Sequence, residues 1–425
     1  MVLKLTYDMY ILLEGSMIKT VYFLIIFSLL LTSKISFANC DLTQIADLER
    51  KKDGAVRLFA RMGTFEKNIL AKSSDCALDD IIVDLTQQET IEYFDFVNKM
   101  KLAPARYTAY IAENDTIGIL QYEGSAAPLD YYLQSNNIEF PADQMLKLGG
   151  RNTIAVAYSQ NTKQLYANNE IIKSNNLTIP TTYEDMLSTL EQLKSSGVEF
   201  PVSGMFNNNR DLAIMFVNIY LSLGGELFKD SESPKIAIRN KIGIKALETM
   251  KAIAEYSNPE HFDADTQVLE QNWKDGNAAF GLFWASQYAG LESDSTSIHG
   301  ALSLEGSNYP ASTIWFKGFT VARYVVESEA VAAMNAMKYS FDDQLSNSNL
   351  ELWIKDGFTD SKSSALKANI DSGVPDYPIS PYVSLLTESV GGAIKEFLTD
   401  GGKAKSVLKQ MEKDYTNLAK ELEYR

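Results

Sequence analysis

A tryptophan follows a buried apolar run, where a flat aromatic ring could stack on a sugar. Gly276 suits the left-handed turn that ends a helix, and the run from Ala278 to Phe283 has the length of a strand buried on both faces. Trp284 comes directly after this run. Because the carboxyl ends of strands form the ligand clefts of open α/β folds, Trp284 is predicted to bind a ligand by stacking. The alternative is that its indole only packs against the protein.

Polar side chains that could bind sugar hydroxyl groups follow a second candidate strand at residues 200–205. The segment starts with an aromatic ring and continues with amides, a guanidinium and a carboxylate, which can donate to and accept from hydroxyls. The alternative is structural, with a turn formed by the asparagines and a helix capped by the carboxylate. The candidate ligand-binding residues here are Phe206, Asn207, Asn209, Arg210 and Asp211.

The inventory of reactive residues argues against an enzyme. The two histidines, His261 and His299, are far apart in sequence and have no metal-ligand spacing. The sequence has no G-x-S-x-G nucleophile elbow and no glycine-rich phosphate loop. Composition leaves a two-carboxylate glycosidase open, but no pair of carboxylates stands out. We therefore predict a binding protein that has no catalytic residues, no cofactor and no metal.

The first residues have the pattern of an export signal. Lys19 precedes the apolar run from Val21 to Leu31, and Ser36-Phe37-Ala38 is a small-x-small cleavage site. The run is shorter than the ~20 residues that a transmembrane helix needs. We expect translation to start at Met17, residues 1–38 to be removed, and the mature protein to be periplasmic. An uncleaved membrane anchor is the alternative.

Cysteine usage and charge agree with an exported protein. Cys40 and Cys76 are the two cysteines, and an oxidising compartment favours one disulfide between them, with two free thiols as the alternative. Removing the signal takes away three lysines and two carboxylates, so the net charge of −16 becomes −17. A surface this acidic argues against partners such as nucleic acid or anionic lipid.

Strand and helix patterns alternate along the rest of the chain, which is typical of α/β layers with parallel strands. The helix signal is clearest at Thr182, which precedes a periodic apolar pattern that stops after Ser195. Other predicted strands are 56–60, 81–85 and 117–120, and other predicted helices are 242–256 and 405–423.

Several motifs occur in the order that one known family shows. Asn272–Trp284 resembles the F-x-x-G-x-A-A-M…G-x-W stretch of family 1 extracellular solute-binding proteins, the maltose-binding-protein-like receptors of ABC importers. The resemblance extends from about residue 118 to residue 423, whereas the first hundred residues depart from the family pattern. The other similar segments are 127–133 (APLDYYL), 158–171, 179–185 (IPTTYED), 221–227 (LSLGGEL), 314–321 and 328–340.

The resemblance implies a periplasmic-binding-protein fold, in which two α/β lobes joined by several crossovers close on a solute like a hinge. The first lobe would comprise residues 39–157 and 301–325, and the second lobe residues 158–300 and 326–425. The implied function is that a monomer captures a sugar or oligosaccharide and delivers it to the permease subunits of an ABC importer. The alternatives are a sensory protein that presents its ligand to a receptor kinase, and a receptor for a polyamine or an organic acid.

The resemblance also adds candidates around the implied cleft. Trp315 and Lys317 lie on a predicted strand at the rim of the first lobe. Glu123 ends another predicted strand, and Tyr158 follows the first crossover. Trp273, in contrast, is predicted to pack inside the protein.

Overall fold

The structure is a computed structural model that describes residues 56–60, 81–83, 108–148, 152–204, 206, 208–230, 234–346 and 361–424. Cys40, Cys76, Asn207 and the predicted export signal lie outside the described residues. Within the described segments, no helix combines the length and the apolar character needed to cross a membrane.

The larger sheet, as far as the chain is described, consists of β1 (Val56–Ala60), β2 (Ile81–Val83), β3 (Ala109–Glu113), β4 (Met145–Leu148), β5 (Asn152–Asn161) and β10 (Trp315–Val321). Its strand order is β2-β1-β3-β10-β5-β4. β1 pairs in parallel with β2 and β3, whereas β10 runs antiparallel between β3 and β5. The carboxyl ends of β1, β2, β3 and β5 therefore share one edge, at which β10 begins.

The smaller sheet consists of β6 (Lys163–Asn168), β7 (Val202–Gly204), β8 (Phe280–Trp284) and β9 (Thr296–His299) among the described residues. Its strand order is β7-β8-β6-β9. β7 and β8 are parallel, and β6 is antiparallel to both β8 and β9. The apolar run before Trp284 thus forms a strand, as predicted, and this tryptophan is its last residue.

Helices pack around both sheets. The first six are α1 (Asn114–Tyr122), α2 (Asp130–Ser135), α3 (Asn169–Ser174), α4 (Tyr183–Ser195), α5 (Asn209–Ser222) and α6 (Lys241–Ala254). Those that follow are α7 (Thr266–Lys274), α8 (Tyr288–Leu291), α9 (Glu327–Ser346), α10 (Ser361–Asp371), α11 (Pro381–Ser389), α12 (Gly391–Asp400) and α13 (Ala404–Glu421).

The predicted start and end of α4 are confirmed. The Thr182 side chain accepts a hydrogen bond of 3.0 Å from the backbone N–H of Asp185, which satisfies one of the free donors of the first turn. Met186, Leu190 and Leu193 are fully buried, so the periodic apolar face points into the core. α6 and α13 likewise lie within two residues of their predicted bounds.

The prediction of a strand at residues 117–120 is wrong, because these residues belong to α1. Asn114 to Leu120 are all buried, so this helix is enclosed on every side and lacks the polar face that marks a helix in a sequence. A short apolar run is compatible with a buried strand or a buried helix. Tyr122 and Glu123 consequently end a helix, and the strand that pairs with β1 is β3.

The chain passes from the larger sheet to the smaller sheet at a residue held by side-chain hydrogen bonds. Thr162 alone separates β5 of the larger sheet from β6 of the smaller one. Its Oγ1 lies 2.6 Å from Ser312 Oγ, on the segment that leads back to β10, and accepts a 3.2 Å hydrogen bond from Asn369 Nδ2. Three distant chain segments are therefore joined at this crossing.

The predicted lobe boundaries remain a prediction, and packing favours later crossings. β5 stays in the larger sheet up to Asn161, whereas the predicted boundary lies at residue 157. α9 packs against β1, β3 and β10 of the larger sheet, although the prediction assigns residues 326–425 to the second lobe. α10, in contrast, contacts β9 of the smaller sheet.

Candidate functional site

The carboxyl edges of the two sheets face each other, and charged and aromatic side chains fill the space between them. β3 ends at Glu113 and leads into α1, while β7 leads into α5, whose second residue is Arg210. Carboxyl edges of this kind are where open α/β folds bind ligands. We call the group of side chains that meet here the interlobe cluster, and it comprises Glu113, Asp115, Lys163, Arg210, Asp211, Trp284, Trp315, Tyr377 and Glu388.

The start of α5 is fixed by Asn208. Its side-chain oxygen accepts a 2.7 Å hydrogen bond from the backbone N–H of Asp211, and its Nδ2 donates to Asp211 Oδ2 over 2.6 Å. This is the N-cap arrangement, and the carboxylate in the first turn also interacts favourably with the helix dipole. The alternative prediction that this segment caps a helix therefore agrees with the structure, but the capping residue is Asn208 and not Asp211.

Asp211 holds the indole of Trp284 in place. Trp284 Nε1 donates to Asp211 Oδ1 over 2.8 Å, and Lys163 Nζ lies 3.1 Å from the same oxygen. Burial raises the pKa of the Asp211 carboxyl, but Lys163, Asn208 and Trp284 together lower this pKa below its ordinary value. The carboxylate is therefore charged at neutral pH, and both its charge and its lone pairs are used within the smaller-sheet lobe.

Arg210 reaches across to the other lobe. Its Nη2 lies 2.8 Å from Glu113 Oε2 at the end of β3, and 2.7 Å from Asp115 Oδ2 in α1. Its Nε lies 3.6 Å from Glu388 Oε1 of α11. Burial lowers the pKa of Arg210, but the carboxylates of Asp115, Glu113 and Glu388 raise this pKa by more. This ion-pair network links α5 to the end of β3, to α1 and to α11.

Aromatic rings form one side of the interlobe cluster. The ring centroids of Trp315 and Tyr377 are 4.1 Å apart, and Trp284 meets Trp315 edge to face at 5.9 Å. The Arg210 guanidinium lies 5.0 Å from the Trp315 ring, and Lys163 Nζ lies 5.2 Å from the Trp284 ring. Such distances are typical of cation–π contacts. Both tryptophans predicted to bind ligand therefore meet at this site, with Trp315 only 4% exposed.

The structure places the other predicted ligand-binding residues at varying distances from this cluster. Lys317 lies on β10 directly opposite Glu113 of β3, next to the cluster. Asn209 is exposed at the start of α5. Its backbone packs so closely against Gly391 that a Cβ atom on residue 391 would clash with it. Phe206 is buried and stacks on Phe262 at 5.7 Å, which places its ring in the core of the smaller-sheet lobe.

Glu123 is not brought to the cluster. Glu123 caps the far end of α1, where its Oε1 accepts a 2.7 Å hydrogen bond from the Tyr424 hydroxyl. Tyr158 is buried within β5. Trp273 packs in the interior as predicted, with Nε1 donating to the Leu291 carbonyl over 3.0 Å.

Sequence reasoning missed five members of the cluster: Glu113, Asp115, Lys163, Tyr377 and Glu388. Glu113 and Asp115 had a usable signal, because they come at the end of the apolar strand residues 109–112. The sequence analysis predicts this strand at residues 117–120, which is eight residues too late. Lys163 had no such signal, because its neighbours from Ser159 to Gln164 are also polar. Tyr377 and Glu388 come from a distant part of the chain, and only the tertiary fold brings them here.

Comparison with known proteins agrees with this arrangement. Residues 107–301 match the model of the family described as bacterial extracellular solute-binding protein, which confirms the family resemblance over that range. A search among curated proteins found no match.

Solved structures share the fold at low sequence identity. The ABC transporter solute-binding protein from Agrobacterium radiobacter K84 in complex with ribitol aligns with a TM-score of 0.70 and 16% identity, over 86% of this chain and 99% of that one. A sugar transporter from Arthrobacter chlorophenolicus A6 with bound laminaribiose gives 0.69 and 14%, over 86% and 99%. A maltose-bound T. maritima protein gives 0.67 and 15%, over 86% and 100%. The chain therefore has the two-lobe periplasmic-binding-protein fold.

Proposed function

We propose that this chain, which is similar to bacterial extracellular solute-binding proteins over residues 107–301, captures a sugar or oligosaccharide for an ABC importer. The solved structures of the same fold include proteins bound to ribitol, laminaribiose and maltose, which supports a carbohydrate ligand. The ligand would bind at the interlobe cluster and be handed to the permease subunits of the importer.

The observation that carries this proposal is the meeting of Trp284, Trp315 and Arg210 between the two carboxyl edges. Indole rings offer apolar faces to the C–H groups of a sugar, while the guanidinium and its carboxylate partners can bind hydroxyls. The ligand-binding roles of Phe206, Asn209, Lys317 and the other sequence-predicted residues are part of the proposal.

Lobe closure would couple binding to delivery. Arg210 and its partners Glu113 and Asp115 come from opposite sides of the cleft, so their contact forms only when the lobes are close together. A ligand that contacts both sides shifts the population toward this closed form. The permease would then recognise the closed form.

The proposal has a cellular setting that follows from the sequence. Residues 1–38 would direct export and be removed, and Cys40 and Cys76 would form a disulfide in the periplasm. The protein would act there as a monomer that does no catalysis itself. N-terminal sequencing of the exported protein and mass spectrometry with and without reductant check these two features.

Thermal unfolding in the presence of candidate ligands tests the function. A ligand present at 100 times its dissociation constant stabilises the folded state by about 2.7 kcal/mol, which raises the unfolding midpoint measurably. We expect a sugar or polyol to produce this shift, and Trp284→Ala to abolish it.

The control for this test is Tyr324→Ala, because Tyr324 is an aromatic residue 60% exposed beyond the opposite end of β10. It should leave the ligand-induced shift intact. If organic acids or polyamines shift the midpoint and sugars do not, the carbohydrate ligand is wrong and the fold assignment stands. If no small solute shifts it, the transport function is wrong.

A further inference from the structure

The Trp315 indole is covered by the protein itself, although it begins β10 at the edge where a ligand is expected. Only 4% of Trp315 is exposed, so neither face of its ring is open to a sugar in this structure. The Tyr377 ring lies at a centroid distance of 4.1 Å, the Arg210 guanidinium at 5.0 Å and the Trp284 ring at 5.9 Å. A ligand can therefore reach Trp315 only if one of these groups moves.

The indole N–H of Trp315 has no acceptor, which distinguishes it from a tryptophan with a structural role. Trp315 Nε1 is buried and makes no hydrogen bond within the described part of the chain. Trp273 is buried as well, but its Nε1 donates to the Leu291 carbonyl over 3.0 Å and to Thr296 Oγ1 over 3.1 Å. Buried tryptophans ordinarily find such an acceptor. The donor of Trp315 therefore suits a ligand that brings an oxygen atom.

The two aromatic neighbours of Trp315 are fixed. Tyr377 is fully buried, its hydroxyl is hydrogen-bonded to Thr387 Oγ1, and its backbone N–H donates to the Ile314 carbonyl over 2.8 Å. Trp284 is the last residue of β8, and its Nε1 donates to Asp211 Oδ1 over 2.8 Å. Displacing either ring would leave polar groups without their partners, which is unfavourable in a buried region.

Arg210, in contrast, can leave the ring while the elements around it stay in place. Its side chain is 29% exposed, so the guanidinium has a path to water, and its long side chain has several rotatable bonds. The start of α5 does not depend on it, because Asn208 caps this helix. Asp115, one of its carboxylate partners, also accepts a 2.7 Å hydrogen bond from the Thr116 backbone N–H, which remains when the guanidinium departs.

We propose, on the basis of the proposed sugar-binding function, that Arg210 is a movable cover of the Trp315 ring and that the bound sugar takes the place of its guanidinium. A guanidinium plane and the C–H face of a sugar can each lie against an indole, so one can substitute for the other. In the ligand-free protein the cover shields Trp315 from water. When a sugar binds, Glu113 and Asp115 accept from its hydroxyl groups, and one of its oxygens accepts from Trp315 Nε1.

Acrylamide quenching of tryptophan fluorescence tests the cover on the full-length chain without any ligand, because a collisional quencher reports how exposed an indole is. We expect Arg210→Ala to raise the quenching constant. The same substitution in a Trp315→Phe background should raise it much less, which assigns the effect to this indole and not to Trp284. Arg239→Ala is the matched control, since Arg239 pairs with Glu412 at an exposed position, and it should leave quenching unchanged.

Two results of the quenching experiment would overturn the inference. One is that Arg210→Ala leaves the quenching constant unchanged, and the other is that the constant rises equally with and without Trp315. Arg210→Lys is a second variant, which keeps the positive charge but lacks the flat guanidinium, so its quenching constant should rise less than that of Arg210→Ala. Circular dichroism verifies that each variant is folded, and the lysine variant carries the test if the alanine variant is unfolded.

Ligand binding to the same proteins tests whether a sugar takes the place of the guanidinium. Calorimetry with maltose, laminaribiose and ribitol as the first probes, followed by the other sugars and polyols of the thermal screen, identifies a ligand. We expect this ligand to bind both the unsubstituted protein and Arg210→Ala. It should return the quenching constant of Arg210→Ala to the level of the unsubstituted protein, because it covers the ring that the substitution exposes.

The ligand experiment separates the failure of this inference from the failure of the proposed function. If a sugar binds Arg210→Ala and the quenching constant stays high, the sugar lies elsewhere and the inference is wrong, while the sugar-binding function stands. If a sugar binds the unsubstituted protein and not Arg210→Ala, Arg210 is a ligand contact and not a cover, and the inference is likewise wrong. If no sugar or polyol binds either protein, the proposed function is wrong and the inference falls with it.

Discussion

Arg210 and Asp211 are neighbours in the first turn of α5, yet their side chains serve different parts of the molecule. Asp211 turns back into its own lobe, where it binds Lys163, Trp284 and Asn208. Arg210 crosses to the larger-sheet lobe and to α11. The first network holds the Trp284 indole in place, whereas the second joins the larger-sheet lobe to α5. Their difference shows that burial and a short distance do not by themselves reveal whether an ion pair is permanent.

The largest effect is expected from Asp211→Ala. Lys163 would remain buried without its partner, and breaking a buried pair in this way destabilises a protein by about 3–5 kcal/mol. Denaturant unfolding followed by circular dichroism measures the loss. Asp185→Ala is the control, because Asp185 holds the same position in the first turn of α4 but is exposed. Its loss should be below about 1 kcal/mol. Equal losses in the two variants would contradict the role of the Lys163 pair.

Arg210→Ala should have a smaller effect on stability, about 1–3 kcal/mol, because its carboxylate partners can reach water when the lobes separate. Small-angle scattering of the ligand-free variant should show a larger radius of gyration than the unsubstituted protein.

The control for Arg210 is Arg239→Ala, since Arg239 pairs with Glu412 at an exposed position, 2.6 Å apart. That variant should lose less than about 1 kcal/mol and keep its radius of gyration. If Arg210→Ala destabilises the protein as strongly as Asp211→Ala and leaves its size unchanged, both networks are permanent and the distinction between them fails.

Acid should act on the Asp211 network with a predictable sign. Its pKa is lowered in the folded protein below the ~3.9 of an unfolded aspartate, so its contribution is complete above that value and is lost as the pH falls further. The free energy of unfolding should fall by up to about 1.4 kcal/mol per pH unit in this window on account of this group. Denaturant titrations at about pH 5 to 2 in the unsubstituted protein and in Asp211→Asn measure the difference. Parallel curves for the two proteins would show that Asp211 contributes nothing to acid sensitivity.

The smallest effect is expected from Trp284→Phe, which keeps an aromatic face but removes the N–H donor to Asp211. The loss of one hydrogen bond to a charged acceptor at this half-buried position corresponds to about 1.5 kcal/mol. A double-mutant cycle with Asp211→Ala isolates this bond, because the effect of Trp284→Phe should largely disappear when the acceptor is absent. Additive effects of the two substitutions would mean that Asp211 does not hold the indole.

The parts of the fold that the sequence predicted are those with local signals. β8 and α4 are bounded by residues whose conformational preferences act within a few positions, such as Gly276 with φ of 72° and the Thr182 cap. α1 was misassigned because it is buried on all sides, and its short apolar run at residues 117–120 is compatible with a buried strand as well as with a buried helix.

The candidate site was predicted in part for a similar reason. Trp284, Trp315, Arg210 and Asp211 follow or begin recognisable elements, so their types and positions drew attention. Their partners could not be paired with them from sequence, since Arg210 and Glu113 are 97 positions apart. Ion pairs over such separations depend on the relative position of two sheets, which no local pattern encodes.

The position of β10 between β3 and β5 has a consequence for how the chain folds. Without it, the larger sheet would consist of two separate pieces, β2-β1-β3 and β5-β4, each with an open edge along the missing strand. The larger sheet is therefore complete only when β10 is added, and β10 is synthesised long after the other strands of that sheet. Contacts between such distant segments of the chain form slowly. Trp315 is the first residue of this late strand, so the strand that closes the sheet also brings Trp315 against Trp284.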